Sequence, residues 1–192
     1  MKLKNSIVSI FAALSIFAQA AVIAVPAAAE DELRFGSVFD NEVTNSVPQG
    51  FSVSGGNCKV VDDGNNNKSC LIEGNNAETV LRGSVGDFGK KLVIKMSLKT
   101  DEGDPELTIG LSATASDTND NILAKLVNKT LYTSEGRKLC TINNNTYTSL
   151  AFVLYSGELY DIYINGKIIQ TKWRLTKTTK SGYVTVRKST DE

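Results

Sequence analysis

The stretch Ile162-Tyr163-Ile164-Asn165-Gly166-Lys167-Ile168-Ile169 decides the fold class. Asn-Gly between two apolar, β-branched runs favours a two-residue type I′ turn, because both residues tolerate positive φ. The turn predicts a register over 159–175. Ile164 faces Lys167, Ile162 faces Ile169, Tyr160 faces Thr171 and Glu158 faces Trp173 on one side. Tyr163 with Ile168, Asp161 with Gln170, and Leu159 with Lys172 share the other. Moving away from this hairpin, Lys91 to Lys99 alternates cleanly, with Leu92, Ile94, Met96 and Leu98 on the inner side. Glu106 to Thr114 repeats the pattern with Leu107, Ile109 and Leu111. Such alternation marks half-buried antiparallel strands. Thr148 to Tyr155 is apolar on both faces and predicts a central strand; Ile122 to Val127 reads as a strand without helix caps. Loops rich in Asn, Asp, Ser and Gly separate these runs, as in Asn143-Asn144-Asn145. Turn signals at intervals of about 8–12 residues indicate a sandwich or barrel.

The chain of 192 residues carries 21 basic and 21 acidic side chains and no histidine. The missing histidine excludes Ser-His-Asp and Cys-His chemistry and His-ligated metals. The even charge balance lacks the broad basic footprint of a nucleic-acid binder. Lys2 and Lys4 precede 24 uncharged, mostly apolar residues, Ser6 to Ala29, ending Pro26-Ala27-Ala28-Ala29 before Glu30-Asp31-Glu32. Small residues at Ala27 and Ala29 suit a signal peptidase, so residues 1–29 are expected to be a signal peptide. The alternative is an uncleaved membrane anchor, since 24 residues are long enough to span a bilayer. Residues 30–192 are then expected to be one secreted domain, soluble after cleavage, extracellular or held at the cell envelope.

Cys58, Cys70 and Cys140 are the three cysteines. Cys58-Lys59-Val60-Val61 and Ser69-Cys70-Leu71-Ile72 read as strands around Asp62 to Lys68. Folding that hairpin about Gly64 sets Cys58 opposite Cys70, close to disulfide reach. The alternative is three buried thiols. Cys140 has no base beside it and reads as core packing.

Phe39-Asp40-Asn41-Glu42, Pro48-Gln49-Gly50-Phe51 and Ser54-Gly55-Gly56 resemble the opening of laminin-G-like, concanavalin A-like jelly-roll modules of secreted bacterial proteins. Phe51 stands where those modules usually carry Trp. Val60-Val61-Asp62-Asp63 to Leu71, and Tyr160-Asp161-Ile162-Tyr163-Ile164-Asn165-Gly166-Lys167, resemble two of their hairpins. The resemblance spans roughly residues 35 to 175. It implies an all-β, two-sheet antiparallel sandwich of jelly-roll type with one sheet able to cradle a glycan. It also implies a structural Ca²⁺ near the chain start, where Asp40 and Glu42 are the candidate ligands. Turn chemistry is the competing account of those two residues.

Jelly-roll glycanases need paired carboxylates on one strand face. Glu158 and Asp161 are three apart and fall on opposite faces, so no catalytic residue is assigned. Sugar binding needs a flat ring for sugar CH faces and polar groups for hydroxyls. Tyr163, Asp161, Gln170 and Lys172 supply that chemistry, on the face of the last hairpin that looks away from Ile162. Trp173 shares the Ile162 side and reads as core. Tyr132, Tyr147 and Tyr155 are further aromatic candidates without an assigned orientation. The expected function is therefore non-catalytic binding of a polysaccharide or envelope glycan. A structural or protein-binding extracellular domain is the second reading, and a glycan-cleaving enzyme the third.

Overall fold

The structure is a computed structural model that describes residues 39, 41–64, 67–73, 77–100, 106–115 and 121–189, with backbone alone at 67 and at 10–13. Its strands are β1 Ile10–Ala13, β2 Phe51–Gly55, β3 Asn57–Gly64, β4 Asn67–Glu73, β5 Thr79–Asp87, β6 Lys91–Thr100 and β7 Glu106–Ser112. They continue with β8 Asn121–Val127, β9 Thr130–Tyr132, β10 Lys138–Thr141, β11 Thr148–Tyr155, β12 Leu159–Ile164, β13 Lys167–Arg174 and β14 Ser181–Lys188. The fold is all-β, and every pairing between strands is antiparallel. One seven-stranded sheet, sheet A, has the order β13-β12-β11-β6-β1-β4-β3. The other, sheet B, has the order β10-β9-β8-β7-β14-β5-β2. The chain crosses between sheets repeatedly, so sequence neighbours such as β5 and β6 lie in different layers. Alternate residues of both sheets meet in one core, which contains Ile94, Met96, Leu98, Ile109, Leu111, Phe152, Ile162 and Val186. The alternation expected for β6 holds residue by residue, β7 buries Leu107, Ile109 and Leu111 as expected and also Gly110 and Ser112, and β11 is central, with Val153 buried even on its outward face.

Three turns have positive φ at two successive positions, Asn128-Lys129, Ser156-Gly157 and Asn165-Gly166. Only the last carries the strong sequence signal. Gly157 is required twice over. Its φ is +68°, and a Cβ there would collide with the Thr179 carbonyl. Lys129, at φ +61°, is the one central position in these turns where a lysine pays the left-handed penalty. Lys129→Gly is therefore expected to stabilise the fold by about 0.5–1 kcal/mol, read as a higher denaturant midpoint.

Four residues of the expected leader form β1. It pairs Ile10 with Ile72 and Thr100, and Ala12 with Cys70 and Leu98. A cut after Ala29 would take this strand out of sheet A and leave facing edges on β4 and β6. Ala29 and Glu30 themselves lie outside the described residues.

The cysteine hairpin forms with a shifted register. Cys58 faces Ile72 and Cys70 faces Val60, because the turn closes Gly64 onto Asn67 with an irregularity between Asp62 and Gly64. The two cysteines are thus diagonal neighbours on the inner face, and their sulfurs lie 2.7 Å apart in the core. The hydrogen bond to Cys58, then burial, pushes the Cys70 thiol well up. Cys140 is half-buried on β10 against the core, and burial raises its thiol too. In protein exported to an oxidising compartment, we expect Cys58 and Cys70 to bond. Labelling the unfolded, unreduced chain should then count one thiol, and a count of three would exclude the bond.

Candidate functional site

The outward face of sheet A holds Tyr163 and Asp161, and its register explains which of the sequence-predicted residues come together. Backbone register lines up cross-strand rows. Lys95, Ala151, Tyr163 and Ile168 form one row across β6, β11, β12 and β13. Val93, Val153 and Asp161 form the next, and Lys91, Tyr155, Leu159 and Arg174 the one beyond. Ser97 and Ser149 continue the face in the opposite direction. The floor is therefore built from short side chains, with Tyr163 half-buried and Tyr155 exposed above it.

Asp161 is the polar centre of this face. It is buried, at 8% exposure, yet both carboxylate oxygens are satisfied. The Tyr155 hydroxyl donates to Oδ2 at 2.9 Å, and the Lys172 backbone N–H donates to Oδ1 at 2.7 Å. Burial first, and then the hydrogen bond to Asp161, push the Tyr155 phenol up to about 12.

The Lys172 contact exists because β13 is bulged. The predicted pairs Ile164 with Lys167 and Tyr163 with Ile168 form. The register then slips on either side of Ile162, which faces Gln170 rather than Ile169, and Tyr160 faces Trp173 rather than Thr171. Lys172 takes φ +50° at the slip. An extra residue on one strand turns a backbone N–H out of the ladder, and here it meets Asp161. The expected pairings of Asp161 with Gln170 and of Leu159 with Lys172 therefore do not occur. Leu159 faces Arg174 instead. Gln170 leaves the set: it faces the inward-pointing Ile162, and its Oε1 accepts from Arg137 Nη1 at 2.7 Å. Trp173, opposite Tyr160 and packed on the core, is no platform, as the sequence indicated.

Two tyrosines that the sequence left unoriented now have places. Tyr155 stands beside Asp161. Tyr147 donates from its hydroxyl to Asp63 Oδ2, and Lys99 reaches Asp63 Oδ1 while its Nζ lies 5.1 Å from the Tyr147 ring centre. Tyr155 ends a strand with the right parity to share the outward face, which was the available clue. Tyr147 precedes its strand and carried no such signal.

A shallow hollow of about 250 Å³ opens at the end of this face, lined by Glu158, Arg174, Leu175, Thr176 and Thr178. Its loop is pinned from the other sheet. Buried Asn121 donates from Nδ2 to the Lys177 carbonyl at 2.9 Å and to Thr179 Oγ1 at 2.8 Å, and its Oδ1 accepts from the Lys177 N–H at 2.8 Å.

Of the two expected calcium ligands, only Glu42 is among the described residues. Asp40 lies outside the described residues. Glu42 accepts the Gln49 N–H at Oε2, 2.8 Å, and its carbonyl accepts from Lys68 Nζ at 2.5 Å. The Lys68 ammonium thus ties this turn through the Glu42 carbonyl. Among the described residues no three His, Cys, Asp or Glu side chains gather as metal ligands.

No family model matches the chain, and no curated protein matches it. Solved structures do. A sialidase superposes with a TM-score of 0.58 at 12% identity, over 74% of this chain and 13% of that one. A carbohydrate esterase from the Shiga toxin-encoding bacteriophage phi24B gives 0.50 at 20% identity, over 72% of this chain and 82% of that one. Carbohydrate-binding module CBM66 from Bacillus subtilis gives 0.48 at 14% identity, over 76% and 89%. The likeness is one of fold. This chain corresponds to about an eighth of the sialidase's length, and at these identities a shared sandwich fixes no ligand.

Proposed function

We propose that this protein is a secreted, non-catalytic module of concanavalin A-like, laminin-G-like type that binds glycan on the outward face of sheet A. The observation that carries the reading is the Tyr163, Asp161 and Tyr155 arrangement. Two rings stand over a floor of short side chains beside a carboxylate held in place by two donors. Rings of this kind stack on sugar CH faces, and the polar groups beside them meet hydroxyls. Two superposing structures, with TM-scores of 0.58 and 0.50, are named for enzymes that act on carbohydrate, which supports the choice of ligand. The absence of histidine and of paired strand carboxylates supports a binding rather than a catalytic role. Export with a new N-terminus at Glu30 belongs to the same reading, and N-terminal mass spectrometry of secreted protein tests it.

The test of binding is affinity electrophoresis of the secreted protein through gels containing a panel of soluble polysaccharides. Wild type is retarded by one class, and Tyr163→Ala loses the retardation with little change in melting temperature. No retardation on any polysaccharide overturns the reading. A large stability loss in Tyr163→Ala would assign that ring to the core. The exposed Ile168 and Ile169 on edge strand β13, at 49% and 42% exposure, favour a protein partner as the second reading.

A further inference from the structure

We propose that the face of β6, β11, β12 and β13 takes an acidic, carboxylate-bearing polysaccharide rather than a neutral one. This rests on the glycan reading above and adds a charge class to it. The argument is a local imbalance of sign. In the rows described above, the exposed cations are Lys95 on β6 and Arg174 on β13, with half-buried Lys91 beside Tyr155; exposed Lys172 lies at the β13 bulge next to them. None of the three exposed cations has an ion pair among the described residues. Asp161 is the one carboxylate in these rows, and both of its oxygens are already taken by Tyr155 and Lys172 N–H. Glu158, in the turn before β12, lines the end hollow with Arg174 but does not pair with it.

The rest of sheet A's outward face is different. Lys99 is bound to Asp63, and Lys59 lies 3.8 Å from Glu73. The chain as a whole has 21 cations and 21 anions, so the surplus is a product of placement and not of composition. Unpaired surface cations of one sign draw counter-charged ligands from solution.

The spacing suits a sugar acid. Lys95 and Tyr163 flank Ala151, each one strand away, which puts their backbones about 10 Å apart at roughly 4.8 Å per strand. A ring seated over Ala151 stacks on Tyr163 on one side, and its carboxylate faces the Lys95 ammonium on the other. Arg174 lies in the Tyr155 row, roughly 13 Å along the strands from Ala151 at about 3.3 Å per residue and about 10 Å across, two strands away. It can meet a second carboxylate further along the same chain. A guanidinium receives a carboxylate in a bidentate fork.

The experiment is the same electrophoresis, with polygalacturonate and alginate set against dextran and hydroxyethyl cellulose, each at low and high salt. Polygalacturonate or alginate should retard the secreted protein at least tenfold more strongly than either neutral polymer. Retardation should fall about tenfold in 0.5 M sodium chloride, where screening shortens the reach of these charges. K95Q/R174Q should lose most of it, while K138Q/K180Q, with the same change in net charge on exposed lysines elsewhere, keeps it. Equal retardation by the neutral polymers, unmoved by salt or by K95Q/R174Q, overturns the charge assignment and leaves glycan binding standing. No retardation by any polymer overturns both. Equal retention of heparin or DNA, lost in both double variants alike, also overturns the proposal, because it marks a merely cationic surface.

Discussion

Phe152→Ala is expected to destabilise the fold by about 3–5 kcal/mol. Phe152 is fully buried in the central strand β11, between Ile94 of β6 and Ile162 of β12. Its ring lies 6.5 Å from that of Tyr160, tilted by 54°. Truncation removes the ring and leaves a hole bounded by two paired strands that have no freedom to close it. A domain of this size has roughly 5–15 kcal/mol in total, so the loss is a large fraction of its stability. The melting temperature should fall by roughly 10 °C. Phe152→Leu, which keeps most of the volume, should cost far less. A loss below about 1 kcal/mol for the alanine variant would mean that the two sheets are not close-packed at this point.

Asp161→Ala is expected to cost about 1–3 kcal/mol and to abolish glycan retention together. It strands the Lys172 N–H in a partly buried position and frees the Tyr155 hydroxyl. Loss of the contact that ties the β13 bulge to β12 also loosens the platform that carries Arg174. Asp161→Asn separates shape from charge and gives a direct optical readout. In the wild type, Tyr155 and Tyr160 both ionise late, at about 12, with burial the first cause in each. Asp161→Asn takes away the charge of Asp161, the third cause after burial and the hydrogen bond, at Tyr155 alone. Spectrophotometric titration should therefore move Tyr155 down, with burial still holding it above 10.0, and leave Tyr160 near 12. Both folded values lie above the ordinary tyrosine value of 10.0. Their contribution is therefore complete below pH 10 and is lost as pH rises through about 12. Asp161→Asn should flatten the alkaline part of the stability profile. An unchanged titration would show that Asp161 does not act on Tyr155.

The class of fold was legible in the residues because alternation and turn chemistry are local. Leu92-Val93-Ile94 and its continuation declare a half-buried strand without reference to the rest of the chain, and Asn165-Gly166 fixes the first two pairs of its hairpin. Beyond two pairs the local signal ends. Nothing in Ile169-Gln170-Thr171-Lys172 announces a bulge: there is no glycine, and Lys172 adopts positive φ only because its N–H finds Asp161. The same limit moved the cysteine hairpin by two residues, since symmetry about Gly64 is not what closes that turn.

The sequence by itself determined an all-β sandwich, its inner faces, and the exclusion of histidine chemistry. It also named Tyr163 and Asp161 as partners on one face. The strands, their inner faces and the shared face follow from residue type and a period of two, while the choice of sandwich over barrel came from the resemblance to jelly-roll modules. Only the tertiary structure decided that Gln170 turns away to Arg137, that Tyr155 joins Asp161, and that Lys95 of β6 stands in the row of Tyr163. Those relations cross 33, 6 and 68 positions of chain. The long ones depend on which strands lie side by side, and the short one on how the turn through Ser156, Gly157 and Glu158 returns β12 along β11. Strand order and bulges are settled by packing the whole core, so no local stretch of sequence encodes them.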